Sequence, residues 1–241
     1  MIPKVIHYCW FGGKPLPPLA EKCIASWKKY CPDYEIVRWD ESNYDVTKNE
    51  YMRQAYEAKK WGFVPDYARK DIIYNYGGLY FDTDVELIKP IDDLLDNKAF
   101  VAMERPGLVA MGLVIGAEKG NILIEELSHV YDGERFINED GSLNLKTSLA
   151  YDSEIFNKYG LRKENVEQDI CGVHIYPTEY FCPKAGYSAD IQITEKTYAI
   201  HHYAASWVPF NRKIRGKVYF GLKRIFGKRA ADAVRKILGR K

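Results

Sequence analysis

Asp82 and Asp84 stand on either side of Thr83 in the stretch GGLYFDTDVE (77–86), directly after the apolar run Leu79-Tyr80-Phe81. Two carboxylates held close together repel one another unless something positive lies between them. Hard oxygen donors suit magnesium or manganese, bound by few protein groups while oxygens of a phosphorylated substrate complete the shell. The pair therefore reads as one side of a metal–diphosphate bridge, the cation neutralising charge as a nucleoside diphosphate departs. In an extended strand both side chains project to one side. At a strand's carboxyl end that side opens onto the crevice where α/β sheets bind ligands.

Three readings of the pair compete. Acids at a strand end can simply bond to turn amides. A haloacid-dehalogenase-type phosphatase also carries an apolar strand followed by Asp-x-Asp, with the first Asp as nucleophile. That fold normally begins with the motif, whereas here some 80 residues precede it, and the nearest paired acids, Asp92-Asp93, follow too closely. The third reading is a nucleotide-sugar glycosyltransferase, in which a first strand, a donor helix and a strand-end Asp-x-Asp come in this order.

The elements needed to position the pair are visible in the periodicity. IPKVIHYCWFGG (2–13) reads as a buried strand ending in a glycine turn, and in 18–31 Leu19, Cys23, Ile24, Trp27 and Cys31 form a helical stripe. YEIVRWD (34–40) is a second strand, followed by a helix from Glu50 to Trp61. Pro65 opens a helix over 65–76 that Gly77-Gly78 ends, and LYFDTDVELI is the next strand. Beyond Pro90 the pattern predicts a helix in IDDLLDN, strands at 99–104 and 113–117, and a helix at 121–133. GVHIYPTEYFCP (172–183) alternates like a strand. Strands alternating with helices predict an α/β sheet.

With 241 residues, 46% of them apolar, the chain can bury a core within one domain, taken here as residues 1–211. No apolar run approaches the roughly 18 residues that cross a bilayer, and the amino terminus lacks the pattern of a signal peptide. A cytoplasmic protein is expected. The five scattered cysteines contain no Cys-x-x-Cys pair and predict reduced thiols, not a zinc site. Net charge is +2, but residues 212–241 hold twelve Lys/Arg and one acid, +11, leaving −9 for the rest. In this tail apolar residues recur at helical spacing with basic residues opposite. Such a segment can lie on an anionic membrane surface at about 1 kcal/mol per basic residue, or pack as a solvated helix on its own domain. No stacking or groove-reading motif accompanies it, which argues against nucleic acid.

IPKVIHYCWFGG, FVPDYARKDIIYNYGGLYFDTDVEL, IYPTEYFCP and AIHHYAASW together resemble glycosyltransferase family 32, the sugar-binding Asp-x-Asp family that includes capsular polysaccharide transferases. More distantly they are similar to the catalytic domains of the large clostridial glucosylating toxins and to yeast-type initiating α-mannosyltransferases. The similarity covers about residues 1–210. It implies a GT-A fold, a mixed central sheet flanked by helices. It also implies retaining transfer of a hexosyl residue from a nucleotide-sugar, a UDP-sugar on the family alone, to a surface or capsular glycan or lipid-linked glycan acceptor. Manganese, or magnesium, is the implied cofactor.

Residue by residue, the resemblance puts Cys9 and Trp10 in the donor site, Trp10 stacking on the base. Asp66 and Arg69, three apart on the donor helix, would grip sugar hydroxyls and a phosphate oxygen; the plainer reading is an i,i+3 surface ion pair. Tyr80 would lie beside the sugar, on the same side as Asp82. Asp82 would contact ribose and metal-bound water, and Asp84 the metal directly, with Asp82, Asp84 and Arg69 carrying the transfer chemistry. His202, five residues before Trp207, is the implied third metal ligand, His201 being the neighbour that could be mistaken for it. Ser206 and Trp207 would close over the diphosphate. Ala205 departs from the hydroxyl the toxins carry there. A glycan-binding protein with a degenerate site is the non-enzymatic alternative.

Overall fold

A computed structural model describes residues 1–184 and 190–204. Ala205, Ser206, Trp207 and the basic tail lie outside the described residues. From the amino terminus, β1 (Val5–Cys9), α1 (Pro18–Tyr30), β2 (Glu35–Trp39), α2 (Glu50–Glu57), α3 (Pro65–Tyr76), β3 (Gly78–Tyr80) and β4 (Val85–Leu87) follow in order. After a single 3₁₀ turn at Asp92–Leu94 come β5 (Ala99–Arg105), β6 (Leu108–Val109), β7 (Ile115–Ala117), α4 (Ile122–His129), α5 (Ser148–Lys158), β8 (Gln168–Ile170), β9 (Val173–Tyr176), α6 (Thr178–Phe181) and β10 (Ala199–His201).

The main sheet runs β2-β1-β3-β7-β5-β9-β8, with β6 paired to β5. β1 is parallel to both β2 and β3, and β5 to β9, whereas β7 is antiparallel to both β3 and β5. Alternation along β1 feeds two cores. Ile6 and Tyr8 join Cys23, Ile24 and Trp27 of α1 on one face, and Cys9 joins Tyr51, Ala68, Ile72 and Leu123 from α2, α3 and α4 on the other. This is the mixed central sheet flanked by helices that the resemblance implies.

Three expectations change locally. The helix from Glu50 stops at Glu57 because Lys59 takes a left-handed conformation, φ 55°. IDDLLDN makes only one 3₁₀ turn, the chain having seven residues between Pro90 and the residue before β5. The alternating run 172–183 is a strand only to Tyr176: Pro177, lacking an N–H, ends β9 and precedes α6.

The change with most consequence concerns LYFDTDVELI, which is two strands and not one. β3 ends at Tyr80, Thr83 and Asp84 form a turn in which the Val85 amide donates to the Asp82 carbonyl (3.1 Å), and β4 leaves the main sheet. β4 pairs instead with β10, antiparallel, with Val85 opposite His201. Buried groups of α1 fix β4: the Trp27 indole N–H donates to the Val85 carbonyl (2.8 Å), and the Ser26 hydroxyl accepts from the Leu87 amide (2.9 Å).

The junction from α3 into β3 requires glycine twice. Gly77 and Gly78 have φ of +68° and +97°, and a Cβ on Gly78 would lie 2.7 Å from the Val5 carbonyl oxygen. Buried His7 locks this junction. Its Nε2 donates to the Gly77 carbonyl (3.0 Å), and its Nδ1 accepts from the Trp39 indole (3.1 Å). Accepting from Trp39 at Nδ1 requires the neutral ring, and burial lowers the His7 pKa from 6.5 to about 4 despite the Gly77 carbonyl. Below pH 6.5 the unfolded chain takes up a proton that the native state refuses, so stability falls as pH falls. Over 6.5 to 4 this amounts to about 3 kcal/mol. Urea unfolding across that range should show the stability difference between wild type and His7→Gln shrinking by that amount; a constant difference would sink the assignment.

Candidate functional site

The carboxyl ends of β1 and β3 lie side by side, and the amino-terminal turn of α3 packs beside them. α3 carries three buried charged residues, Asp66, Arg69 and Lys70, where an ordinary core-facing helix presents apolar side chains. Asp66 sits in the first helical turn, where the helix dipole favours a carboxylate. The surface-pair reading of Asp66 and Arg69 is thereby corrected. Their side chains are 8% and 4% exposed, and Arg69 Nη2 meets Asp66 Oδ1 at 2.9 Å.

Arg69 also reaches out of the helix to the Asp-x-Asp turn, its Nη2 lying 3.5 Å from Asp82 Oδ1. Its Nε donates to the Pro65 carbonyl (3.0 Å), which fixes the guanidinium plane. The Tyr80 hydroxyl donates to the same Asp82 oxygen (3.0 Å), and the guanidinium lies over the Tyr80 ring, 5.3 Å from its centroid. Cys9, at the end of β1, stands beside Arg69 and Tyr80, and burial pushes its thiol up to about 12, so it is a packing thiol and not a nucleophile. Trp10, next along the chain, is half-buried, its indole N–H donating to the Lys14 carbonyl (2.6 Å).

Asp82 and Asp84 differ in their surroundings. Asp82's side chain keeps a third of its surface exposed, yet burial raises its pKa, with Arg69 pulling down and Asp84 pushing up. Asp84 is lowered: burial acts against it, but His201 and the Ala204 amide outweigh that. The Ala204 N–H donates to Asp84 Oδ2 at 2.8 Å, and His201 Nε2 lies 3.4 Å from the same oxygen.

His202, expected beside Asp84, is placed elsewhere. Its Nε2 meets Glu86 Oε2 at 2.7 Å, and Lys22 Nζ meets that same oxygen at 2.7 Å. The Asp84 turn accounts for the exchange. Residues opposite one another in an antiparallel ladder project to one side, so a fully extended Asp84 would share His202's side. The turn at 83–84 instead aims its carboxylate to the side of Val85, where His201 projects.

The second wall is the segment 109–112, which lies between the two predicted strands and for which the sequence offered no site residue. The Asp82 amide donates to the Gly112 carbonyl (2.9 Å). A Cβ on Gly112 would stand 2.2 Å from Asp82 Oδ2 and 2.7 Å from Arg69 Nη1, so any larger residue would displace both side chains. The single glycine in AMGLV was the available signal.

Among the described residues no cluster of three or more His, Cys, Asp or Glu side chains forms a ready-made cage. Two hard carboxylates on one turn fit a magnesium- or manganese-type ion that keeps most of its shell for water and substrate phosphate. No described helix is long and apolar enough to cross a membrane.

Residues 17–101 match the family model described as "Glycosyltransferase sugar-binding region containing DXD motif". Among curated proteins, the chain is 33% identical over 128 residues to inositol phosphoceramide mannosyltransferase 3 of Schizosaccharomyces pombe, covering 50% of this chain and 34% of that one. To mannosyl phosphorylinositol ceramide synthase SUR1 of Saccharomyces cerevisiae it is 30% identical over 119 residues, covering 44% and 28%. The chain thus spans about a third of the length of the curated relatives it matches. Among solved structures, PaToxG glycosyltransferase superposes with a TM-score of 0.49 at 17% identity, covering 65% of this chain and 67% of that one. A glycosyltransferase involved in glycosylation of the PBCV-1 major capsid gives 0.46 at 15% identity, covering 89% and 98%. Asp82-Thr83-Asp84 is the single Asp-x-Asp within the matched residues, so the DXD motif that the family description names falls on this turn.

Proposed function

We propose that the chain transfers a hexosyl residue, with retention, from a nucleotide-sugar to a glycan or lipid-linked glycan acceptor. The observation that carries this reading is the convergence on one crevice of Arg69, Asp66 and Tyr80 from α3 and β3 with the Asp82–Asp84 turn. A UDP-sugar is the preferred donor on the resemblance. The curated relatives' names speak of mannosyl transfer and inositol phosphoceramide, which supports a hexosyl group and an acceptor carried on lipid; the capsular polysaccharide acceptor rests on the resemblance alone. The basic segment 212–241 supports work at the cytoplasmic face of an anionic membrane.

In this reading Asp84 would hold a divalent cation, manganese or magnesium, and Asp82 would face the ribose beside it. His201, whose Nε2 lies 3.4 Å from Asp84 Oδ2, would take the role the resemblance gave His202. When bound, the cation supplies Lewis-acid neutralisation of the diphosphate. Arg69 is fully charged, since the carboxylates around it outweigh the burial that opposes its charge. It presents a preorganised positive group to the phosphate side, and preorganised charge is worth most where water is excluded. Trp10 stacks on the base, and Asp66 and Tyr80 orient the sugar and Asp82. A phosphatase using Asp82 as nucleophile would want a lysine beside it. The cation on Asp82 is instead Arg69, shared with Asp66.

A thermal-shift screen of nucleotide-sugars with manganese, followed by donor hydrolysis, tests the reading. A donor at about 100 times its Kd stabilises the native state by about 2.7 kcal/mol; EDTA should remove both the shift and the hydrolysis. If no nucleotide-sugar raises the melting temperature with either ion, the reading is wrong.

A further inference from the structure

Behind the crevice Lys70 of α3 and Asp152 of α5 form an ion pair at 2.5 Å, both side chains 0% exposed. A wholly buried pair is a poor stabiliser, because desolvating two charges costs about as much as their attraction returns; apolar residues of similar size usually serve stability as well or better. The Lys70 ammonium also lies 4.5 Å from the centroid of the Tyr131 ring. Lys70 meets Asp152 through Oδ1, which leaves acceptor capacity on Oδ2. The Met111 amide faces that carboxylate and favours its charged form.

The next residue of α5 acts on the same segment. The Ser153 hydroxyl accepts from the Val109 amide (3.1 Å) while donating to the Leu149 carbonyl (2.6 Å). Ser153 thus grips the backbone at Val109 while the Asp152 carboxylate faces Met111, and the residue that follows, Gly112, rests on Asp82 and Arg69 so closely that a methyl group would displace them. The Gly112 carbonyl also receives the Asp82 amide (2.9 Å). A continuous chain of contacts runs from Lys70, through Asp152 and Met111–Gly112, back to Arg69's own carboxylate partner. Lys70 and Arg69 are neighbours on α3, so the two ends of this loop are joined by the helix itself.

We propose that Asp152, held by Lys70, is a positioning residue: with Ser153 it pins backbone 109–112 so that Gly112 sets the placement of Asp82 and Arg69 for sugar transfer. Asp152 touches neither donor nor acceptor in this scheme and acts through Met111 and Gly112. The pair's charges cancel, so the anchor is made without adding net charge beside Arg69. The inference rests on the glycosyl-transfer reading above.

Two double variants separate anchoring from stability. Lys70→Met/Asp152→Asn removes both charges but keeps an oxygen for the Met111 amide; Lys70→Met/Asp152→Leu removes the acceptor as well. With UDP-glucose or GDP-mannose plus manganese as probe, whichever wild type hydrolyses, the Asn double should keep kcat close to wild type. The Leu double should lose kcat by about tenfold to a hundredfold, the range for a supporting partner of a site ligand. KM for the donor should be little changed, and the melting temperature should be equal to or above wild type. A Leu double with wild-type kcat overturns the proposal, as does an Asn double impaired as severely as the Leu double. If the Leu double does not fold, Ser153→Ala provides the second arm: a severalfold lower kcat at a wild-type melting temperature is expected, and unchanged kcat overturns the proposal. Wild type that neither binds nor hydrolyses any donor defeats the transferase reading instead, so the two failures are distinguishable.

Discussion

Asp84→Ala is expected to lower metal-dependent donor turnover by about a hundredfold to a thousandfold, the effect of deleting one preorganised electrostatic group from an active site. Asp84 stands on a turn, accepts from the Ala204 amide and faces His201. Its loss frees the cation site and relaxes the junction between β4 and β10 at one point, while β4 stays anchored through Trp27 and Ser26. The melting temperature without ligand should therefore move little while the manganese-dependent shift disappears. Asp84→Asn separates two roles, because it retains an oxygen for the Ala204 amide but not the charge. It should match the Ala variant in turnover. Hydrolysis assays over a manganese titration read both; Asp84→Ala working at the wild-type rate would remove this aspartate from the chemistry.

Arg69→Met should damage stability as well as turnover. The guanidinium is shared between Asp66, 8% exposed, and Asp82, and removing it leaves a buried carboxylate without its partner. Breaking a buried pair from one side costs about 3–5 kcal/mol, or a fall in melting temperature of roughly 6–20 °C for a chain of this size. The pH dependence follows from the sign of the Asp66 shift. Burial already raises its pKa above 3.8, with Arg69 and Lys70 opposing; without Arg69 the rise is larger. A carboxyl whose folded pKa lies above its unfolded value destabilises the fold progressively as pH rises through that window. The deficit of Arg69→Met should thus be smaller at pH 5 than at pH 8, and Asp66→Asn introduced into Arg69→Met should recover part of it by removing the stranded charge. Equal deficits at both pH values would show that Asp66 is not the group left unpaired.

The residues that were legible in the sequence are those positioned by local rules. Pro65 and Gly77 bracket α3 as Pro-at-the-start and Gly-at-the-end chemistry requires, so Asp66 and Arg69 fell on one helical face without knowledge of the fold. Tyr80 and Asp82, two apart, share a side and a hydrogen bond for the same reason. The opening β1-α1-β2 succession was read from apolar periodicity, which the two cores on either face of β1 explain.

What failed was what depends on leaving the local rule. Asp84 was read as strand, but the chain turns there to pass from the main sheet to a separate β4–β10 pair, and no two-residue periodicity records a change of sheet. That turn transfers the partner of Asp84 from His202 to His201, an exchange decided by where a strand from more than a hundred residues away docks. Asp152 and Gly112 were invisible for a related reason: one is buried against Lys70 across a long separation, and the other contributes backbone, whose contacts carry no side-chain signature. By itself the sequence determined which residues could do the chemistry and the helix and strand that carry them, because propensity and spacing act over a few residues. Only the tertiary structure decided which histidine meets Asp84 and what braces Asp82, because those contacts are made between segments whose order in the chain says nothing about their distance in space.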